Sequence, residues 1–140
     1  MLIEDDEVSN YIFTKLVSIT GFALQTVSFQ KGADALIYLR ENANHPDRLP
    51  EIIFLDIILY DMSGWEFLDR YEQLEDAIKS RIHLVILTTS SFENDRQKAG
   101  KYPSVKKYIK KPITADSLSE LRNDLKKNRR TDSIFFSFFS

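Results

Sequence analysis

The chain has no cysteine, which removes disulfide frameworks and thiolate chemistry from consideration. It has two histidines, His45 and His83, and neither has a partner at ligand spacing, so no zinc site is expected. Glycine and proline number four each, and no internal repeat is visible. Positive charge is not in excess: 19 Lys and Arg against 21 Asp and Glu leave a net charge of -2 and no basic field for nucleic acid. No apolar run approaches the ~20 residues that a membrane span requires. Met1 is followed almost at once by Glu4, Asp5 and Asp6, the opposite of a secretory leader. These absences leave a 140-residue chain of ordinary composition, long enough to bury the core of one domain, and a cytoplasmic location is expected.

What is present is organised around Ile52-Ile53-Phe54-Leu55-Asp56. Four apolar residues ending in a carboxylate suit a strand buried on both faces, as in the middle of a parallel sheet. Such a strand delivers its last residue to the carboxyl edge, where open α/β sheets bind ligands. Alone, Asp56 fits a turn cap as well as a site.

Strands and helices alternate around it. Met1-Leu2-Ile3 reads as a short strand running into Glu4-Asp5-Asp6. A fuller strand would begin several residues earlier, so further residues are expected before Met1. Val8, Ile12, Leu16 and Ile19 recur at helical spacing, with Phe13 and Val17 beside them, and predict an amphipathic helix ending at Gly21. Residues 23–29 read as a strand, and 31–42 as a helix burying Ala35, Leu36 and Leu39. A polar loop follows to Pro50. Beyond Asp56, residues 57–63 form a loop, and Gly64 opens a helix carrying Trp65, Leu68 and Tyr71. The run Leu84-Val85-Ile86-Leu87 predicts a strand ending at Thr89. Residues 93–101 make a weak helix whose one clear apolar residue is Ala99. Residues 105–109 make a strand whose Lys106 and Lys107 suit a sheet edge. Residues 116–127 form the last helix, with Leu118, Leu121 and Leu125 on one side.

Five alternations of strand and helix argue for an α/β fold: a five-stranded parallel sheet with helices on both faces. Right-handed crossovers leave few topologies, and the order 2-1-3-4-5 is expected, with its switch point between the first and third strands. On that fold the carboxylates of Glu4, Asp5 and Asp56 converge, and Thr89 and Lys111 reach the same edge from the fourth and fifth strands. Three crowded carboxylates call for a cation, and oxygen-only ligation suits Mg²⁺. A metal, a lysine and a hydroxyl around one carboxylate describe a site for phosphoryl transfer with the carboxylate as nucleophile. Alone, Glu4-Asp5 would read as a solvated helix start and Lys111 as a surface charge; their joint placement points to a site.

With these residues in view, the chain resembles the receiver domain of response regulators, the phosphoacceptor half of two-component signalling. Five stretches carry the resemblance, in the family's order and spacing: Ile3-Glu4-Asp5-Asp6, Phe54-Leu55-Asp56, Met62-Ser63-Gly64, Leu87-Thr88-Thr89-Ser90 and Lys110-Lys111-Pro112. The resemblance implies that Asp56 takes a phosphoryl group from the phosphohistidine of a histidine kinase or phosphotransfer protein. It implies that Glu4, Asp5 and Asp56 hold Mg²⁺ with the backbone carbonyl of Ile58. It assigns Thr89, rather than Thr88, to the phosphoryl oxygens, Lys111 to pair with them, and Tyr108 to the aromatic switch position. A downstream protein would then read the face made by the fourth predicted helix, the fifth strand and the last helix.

The chain departs from the family at Ile58, where a polar residue is common, at Tyr60, where proline is usual, and at Glu4, where Asp is the commoner acid. The expected layout is a receiver domain over residues 1–127 and a tail over 128–140, basic and then Phe-rich. That tail reads either as a strand or turn tucked onto the domain or as an adhesive segment for a dimer or partner. The function expected is that of a stand-alone receiver, catalysing only its own phosphorylation and slow dephosphorylation. The rivals are a pseudo-receiver that signals without phosphorylation and a flavodoxin-like enzyme; the acids at Glu4-Asp5-Asp6 would repel a flavin phosphate.

Overall fold

The computed structural model describes residues 1–89 and 92–139, with side chains for 1–89 and 94–128. The central strand is β3 (Ile52–Asp56), as its apolar run requires. Around it lie β1 (Leu2–Ile3), β2 (Ser28–Phe29), β4 (His83–Thr88) and β5 (Val105–Lys110). All pairings are parallel, in the order β2-β1-β3-β4-β5. The alternation of β3 sends Ile53 and Leu55 into one core cluster and Phe54 into another on the opposite face.

The helices α1 (Glu7–Thr20), α2 (Gly32–Glu41), α3 (Gly64–Glu72), α4 (Asp76–Lys79), α5 (Phe92–Ala99) and α6 (Ala115–Phe139) fill the connections. Phe13 and Val17 of α1 share a core with Leu118 and Leu121 of α6 on one face of the sheet. Ala35, Leu36 and Leu39 of α2 and Phe67, Leu68 and Tyr71 of α3 fill the other.

The structure corrects several expectations. In α1 the buried residues are Phe13 and Val17, whereas Val8, Ile12 and Ile19 face solvent, Ile19 at 81% exposure. The helix has two apolar stripes, and the ring of Phe13, edge-on to Phe54 at 4.9 Å, decides which one packs. The helix does end at Gly21, in the left-handed region at φ 62, where a Cβ would be strained. β2 has two residues rather than seven, because an edge strand needs only the bonds that Leu2 and Glu4 donate to Val27 and Phe29. A one-turn helix, α4, anchors the turn before β4 by burying Ile78. β4 ends at Thr88, one residue before the expected Thr89, and β5 runs to Lys110, one residue past the expected 109. The last helix does not stop at 127: α6 continues to Phe139, so its backbone is neither strand nor turn. The adhesive role suggested for its Phe-rich end concerns side chains outside the described residues.

Candidate functional site

β1, β3 and the residue after β5 bring Glu4, Asp56 and Lys111 together at the carboxyl edge. Lys111 Nζ donates to Glu4 Oε2 at 2.6 Å and to Asp56 Oδ2 at 2.7 Å. These partners stand 107 and 55 residues away in sequence. Both carboxylates are buried, Glu4 at 3% and Asp56 at 6% exposure, so an ammonium between them offsets a desolvation cost that neither could meet alone. The second Asp56 oxygen, Oδ1, accepts from the Ile58 N–H at 3.0 Å, which fixes the loop carrying Ile58 against the carboxylate. Asp5 is half-buried beside them. One carboxylate oxygen from each of Glu4, Asp5 and Asp56 lies within 4.8 Å of the others.

The local sequence explains how these groups are held. Asp6 is the N-cap of α1, accepting from Ser9 N at 2.9 Å, so the acidic turn ends in a helix start. Asn10 reaches back from that helix, donating from Nδ2 to the carbonyls of Glu4 at 2.7 Å and Asp6 at 3.0 Å. Gly64 lets α3 pass close under the site: a Cβ there would sit 2.6 Å from Ile57 Cα, while Gly64 N donates to Ile57 O at 2.7 Å. Asp61, in the same loop as Ile58, accepts from the N–H groups of Gly32 and Ala33, each at 3.0 Å, and so ties that loop to the start of α2. Sequence reasoning missed Asn10 and Asp61. The signal for Asn10 was an amide four residues after an N-cap; Asp61 left none, because its partners lie in a helix almost thirty residues earlier.

Electrostatics follow the crowding. Burial, then the hydrogen-bonded neighbour Asp56, push the Glu4 carboxyl up to about 7 against the opposing pull of Lys111. Burial alone would lower Lys111, but its bonds to Asp56 and Glu4 outweigh that and hold it above the ordinary lysine value. An oxygen-only set of three crowded acids fits a hard divalent cation such as Mg²⁺.

The remaining expected residues divide between two places. Leu87 stands opposite Asp56 in the ladder and its carbonyl accepts from Ile57 N, while the next carbonyl, that of Thr88, accepts from Lys111 N at 2.8 Å. Thr88 is therefore the strand-end hydroxyl flanked by Asp56 and Lys111. It is buried, and its Oγ1 lies 3.3 Å from Asp95 Oδ2 on α5. Thr89 follows as an exposed residue beyond the strand. Tyr108 is half-buried against the α2–α3 side of the sheet, and its hydroxyl is pushed up to about 12 by burial and by the charge of Asp95. The Ile58 side chain is 69% exposed and is not part of the core.

This constellation has relatives. The family model described as "Response regulator receiver domain" matches residues 1–123. The chain is 28% identical over 127 residues to the probable methanogenesis regulatory protein FilR2 of Methanothrix harundinacea, covering 90% of this chain and 79% of that one. It is 28% identical over 120 residues to the polar-differentiation response regulator DivK of Brucella ovis, covering 86% and 89%. A two-component response regulator from Cytophaga hutchinsonii superposes with a TM-score of 0.81 at 30% identity, covering 90% and 94%. The chain belongs to the response-regulator receiver family, and its sheet order and helices are those of the receiver fold.

Proposed function

We propose that the protein is a phosphorylation switch in which Asp56 accepts a phosphoryl group from the phosphohistidine of a histidine kinase or phosphotransfer protein. The observation that carries this reading is the Lys111 ammonium bridging Glu4 and Asp56 beside a three-carboxylate cluster at the switch point of the sheet. An Asp56 oxygen attacks phosphorus; the P–O bond forms as the P–N bond to the donor imidazole breaks, and the ring leaves with a proton from solvent. Lys111 offsets the charge of the incoming phosphoryl oxygens. Glu4, Asp5, Asp56 and the Ile58 carbonyl would hold Mg²⁺, which when bound adds a second positive charge against those oxygens. Thr88 rather than Thr89 supplies the phosphate-bonding hydroxyl, because Thr88 ends β4 between Asp56 and Lys111. Tyr108 then turns as Thr88 moves, and the face of α5, β5 and α6 changes its affinity for a downstream protein.

The donor approaches across α1, whose outward face exposes Val8, Tyr11 and Ile12 in the turns nearest the site and Ile19 near its far end. Between α1 and the segment after Lys111, an apolar cleft of about 100 Å³ lined by Ile12, Phe13, Pro112 and Ile113 opens beside Glu4. No helix among the described residues is long and apolar enough to cross a membrane; a cytoplasmic site of action belongs to this proposal. The protein performs no chemistry beyond its own phosphorylation and hydrolysis.

Intact mass after acetyl phosphate and Mg²⁺ tests this. A gain of one phosphoryl group in wild type, retained in Thr89→Ala and lost in Asp56→Asn, is the expected result. No gain in wild type would leave a phosphorylation-independent interaction module.

A further inference from the structure

We propose that Asp95 is the off-state anchor of the switch: its carboxylate holds the Thr88 hydroxyl on α5, and phosphorylation of Asp56 takes that hydroxyl away. This rests on the receiver reading above and adds a residue to it. The physical core is a count of protons. A threonine hydroxyl has one to donate. In the structure it points to Asp95 Oδ2, 3.3 Å from Oγ1. It cannot donate there and to a phosphoryl oxygen on Asp56 at once, so the two bonds exclude each other.

The geometry also says which bond wins. A hydroxyl that donates to a carboxylate usually lies about 2.5–2.7 Å from it. At 3.3 Å the bond to Asp95 is long, strong enough to set a resting position and weak enough to lose to a better acceptor. A phosphoryl group brings about -1.5 to -2 charges and three acceptor oxygens. Thr88 therefore goes to phosphate when phosphate is there and to Asp95 when it is not.

The consequence is felt by α5. Among the described side chains of this helix, Ala99 alone is buried. Two further ties of its described side chains are Asp95 to Thr88, and Lys98 over the Trp65 ring at 5.4 Å from the centroid. The tie from Asp95 to the end of β4 is one of the contacts that set the position of this helix. Asp95 also acts on Tyr108, whose hydroxyl feels its charge. One carboxylate on the helix that borders the output face thus bonds the strand-end hydroxyl and acts by its charge on the aromatic residue of β5.

The test is a set of amide NMR spectra of wild type, Asp95→Ala, Asp95→Asn and Thr88→Val, with intact mass taken from the same samples before and after acetyl phosphate and Mg²⁺. In unphosphorylated Asp95→Ala the resonances of Tyr108 and α5 should lie on the line from wild-type unphosphorylated to phosphorylated positions, displaced by roughly a third or more. Asp95→Asn keeps an acceptor oxygen and should stay near wild type. Thr88→Val removes the donor and should move the same α5 resonances as Asp95→Ala, and the double variant should add nothing to either. Wild type that takes up phosphate, beside an Asp95→Ala spectrum unchanged beyond its immediate neighbours or displaced off that line, overturns the anchor and leaves the receiver reading standing. Thr88→Val without effect on α5 overturns it as well. Wild type that takes up no phosphate removes both.

Discussion

Among single residues, Ile58 stands where a substitution would have chemical consequences for the proposed phosphoryl site. Its N–H holds Asp56 Oδ1, so the backbone is committed to the site, while its side chain stands in solvent beside it. Hydrolysis of an Asp56 phosphate needs a water opposite the bond to be broken. Asn at this position could orient that water by hydrogen bonding; Ile cannot. Ile58→Asn should therefore lose phosphate faster than wild type, by roughly ten- to a hundredfold with Mg²⁺ saturating, read as phosphoprotein decay; equal rates would refute it. Glu4 yields a second expectation. Its pKa rises from 4.5 to about 7 on folding, so between those values the folded chain keeps a proton that the unfolded chain has lost. The stability from this group is complete below about pH 4.5 and is lost as pH rises through about 7. Lys111 remains charged across that window. Metal-free wild type should lose on the order of 2–3 kcal/mol relative to Glu4→Gln over this range, measured as melting temperature against pH for the two proteins.

At the level of elements, α1 shows how little a helical period says about burial. It offers Val8, Ile12, Leu16 and Ile19 at one helical spacing and Phe13 and Val17 beside them; the sheet buries Phe13 and Val17, Leu16 packs at their edge, and Val8, Ile12 and Ile19 stay exposed. Phe13 sits edge-on to Phe54 and in the same cluster as Leu118 and Leu121. Phe13→Ala should cost about 3–5 kcal/mol in urea unfolding, through lost burial and the cavity left behind. Ile19→Ser, at 81% exposure, should change stability by less than about 0.5 kcal/mol. If the two substitutions cost the same, the packing of α1 is not as described.

For the whole molecule, the Mg²⁺ site proposed at Glu4, Asp5 and Asp56 would make stability depend on a cation. A ligand that binds only the folded chain stabilises it by about 2.7 kcal/mol at a hundred times its dissociation constant. For a domain of this size that is a rise of roughly 10 °C in melting temperature. Mg²⁺ should produce such a rise in wild type and none in Asp5→Ala, whose metal-free melting temperature should hold or increase because one of three repelling carboxylates is gone. A clear fall in the metal-free variant would contradict this. How much of all this the sequence determined depends on the range of the interaction. Its apolar runs at 52–55 and 84–87 set the buried strands, their polar ends named Asp56 and the Thr88-Thr89 pair, and the alternation of elements gave the sheet order. Local periodicity repeats along one segment and is legible there. What it does not contain is which face of α1 meets Phe54, that Lys111 bridges Glu4 and Asp56, that Asp61 caps α2, or that Thr88 rather than Thr89 ends β4 and meets Asp95. Most of these join segments far apart in the chain, and the rest depend on where neighbouring strands stop pairing. The folded packing alone decides them.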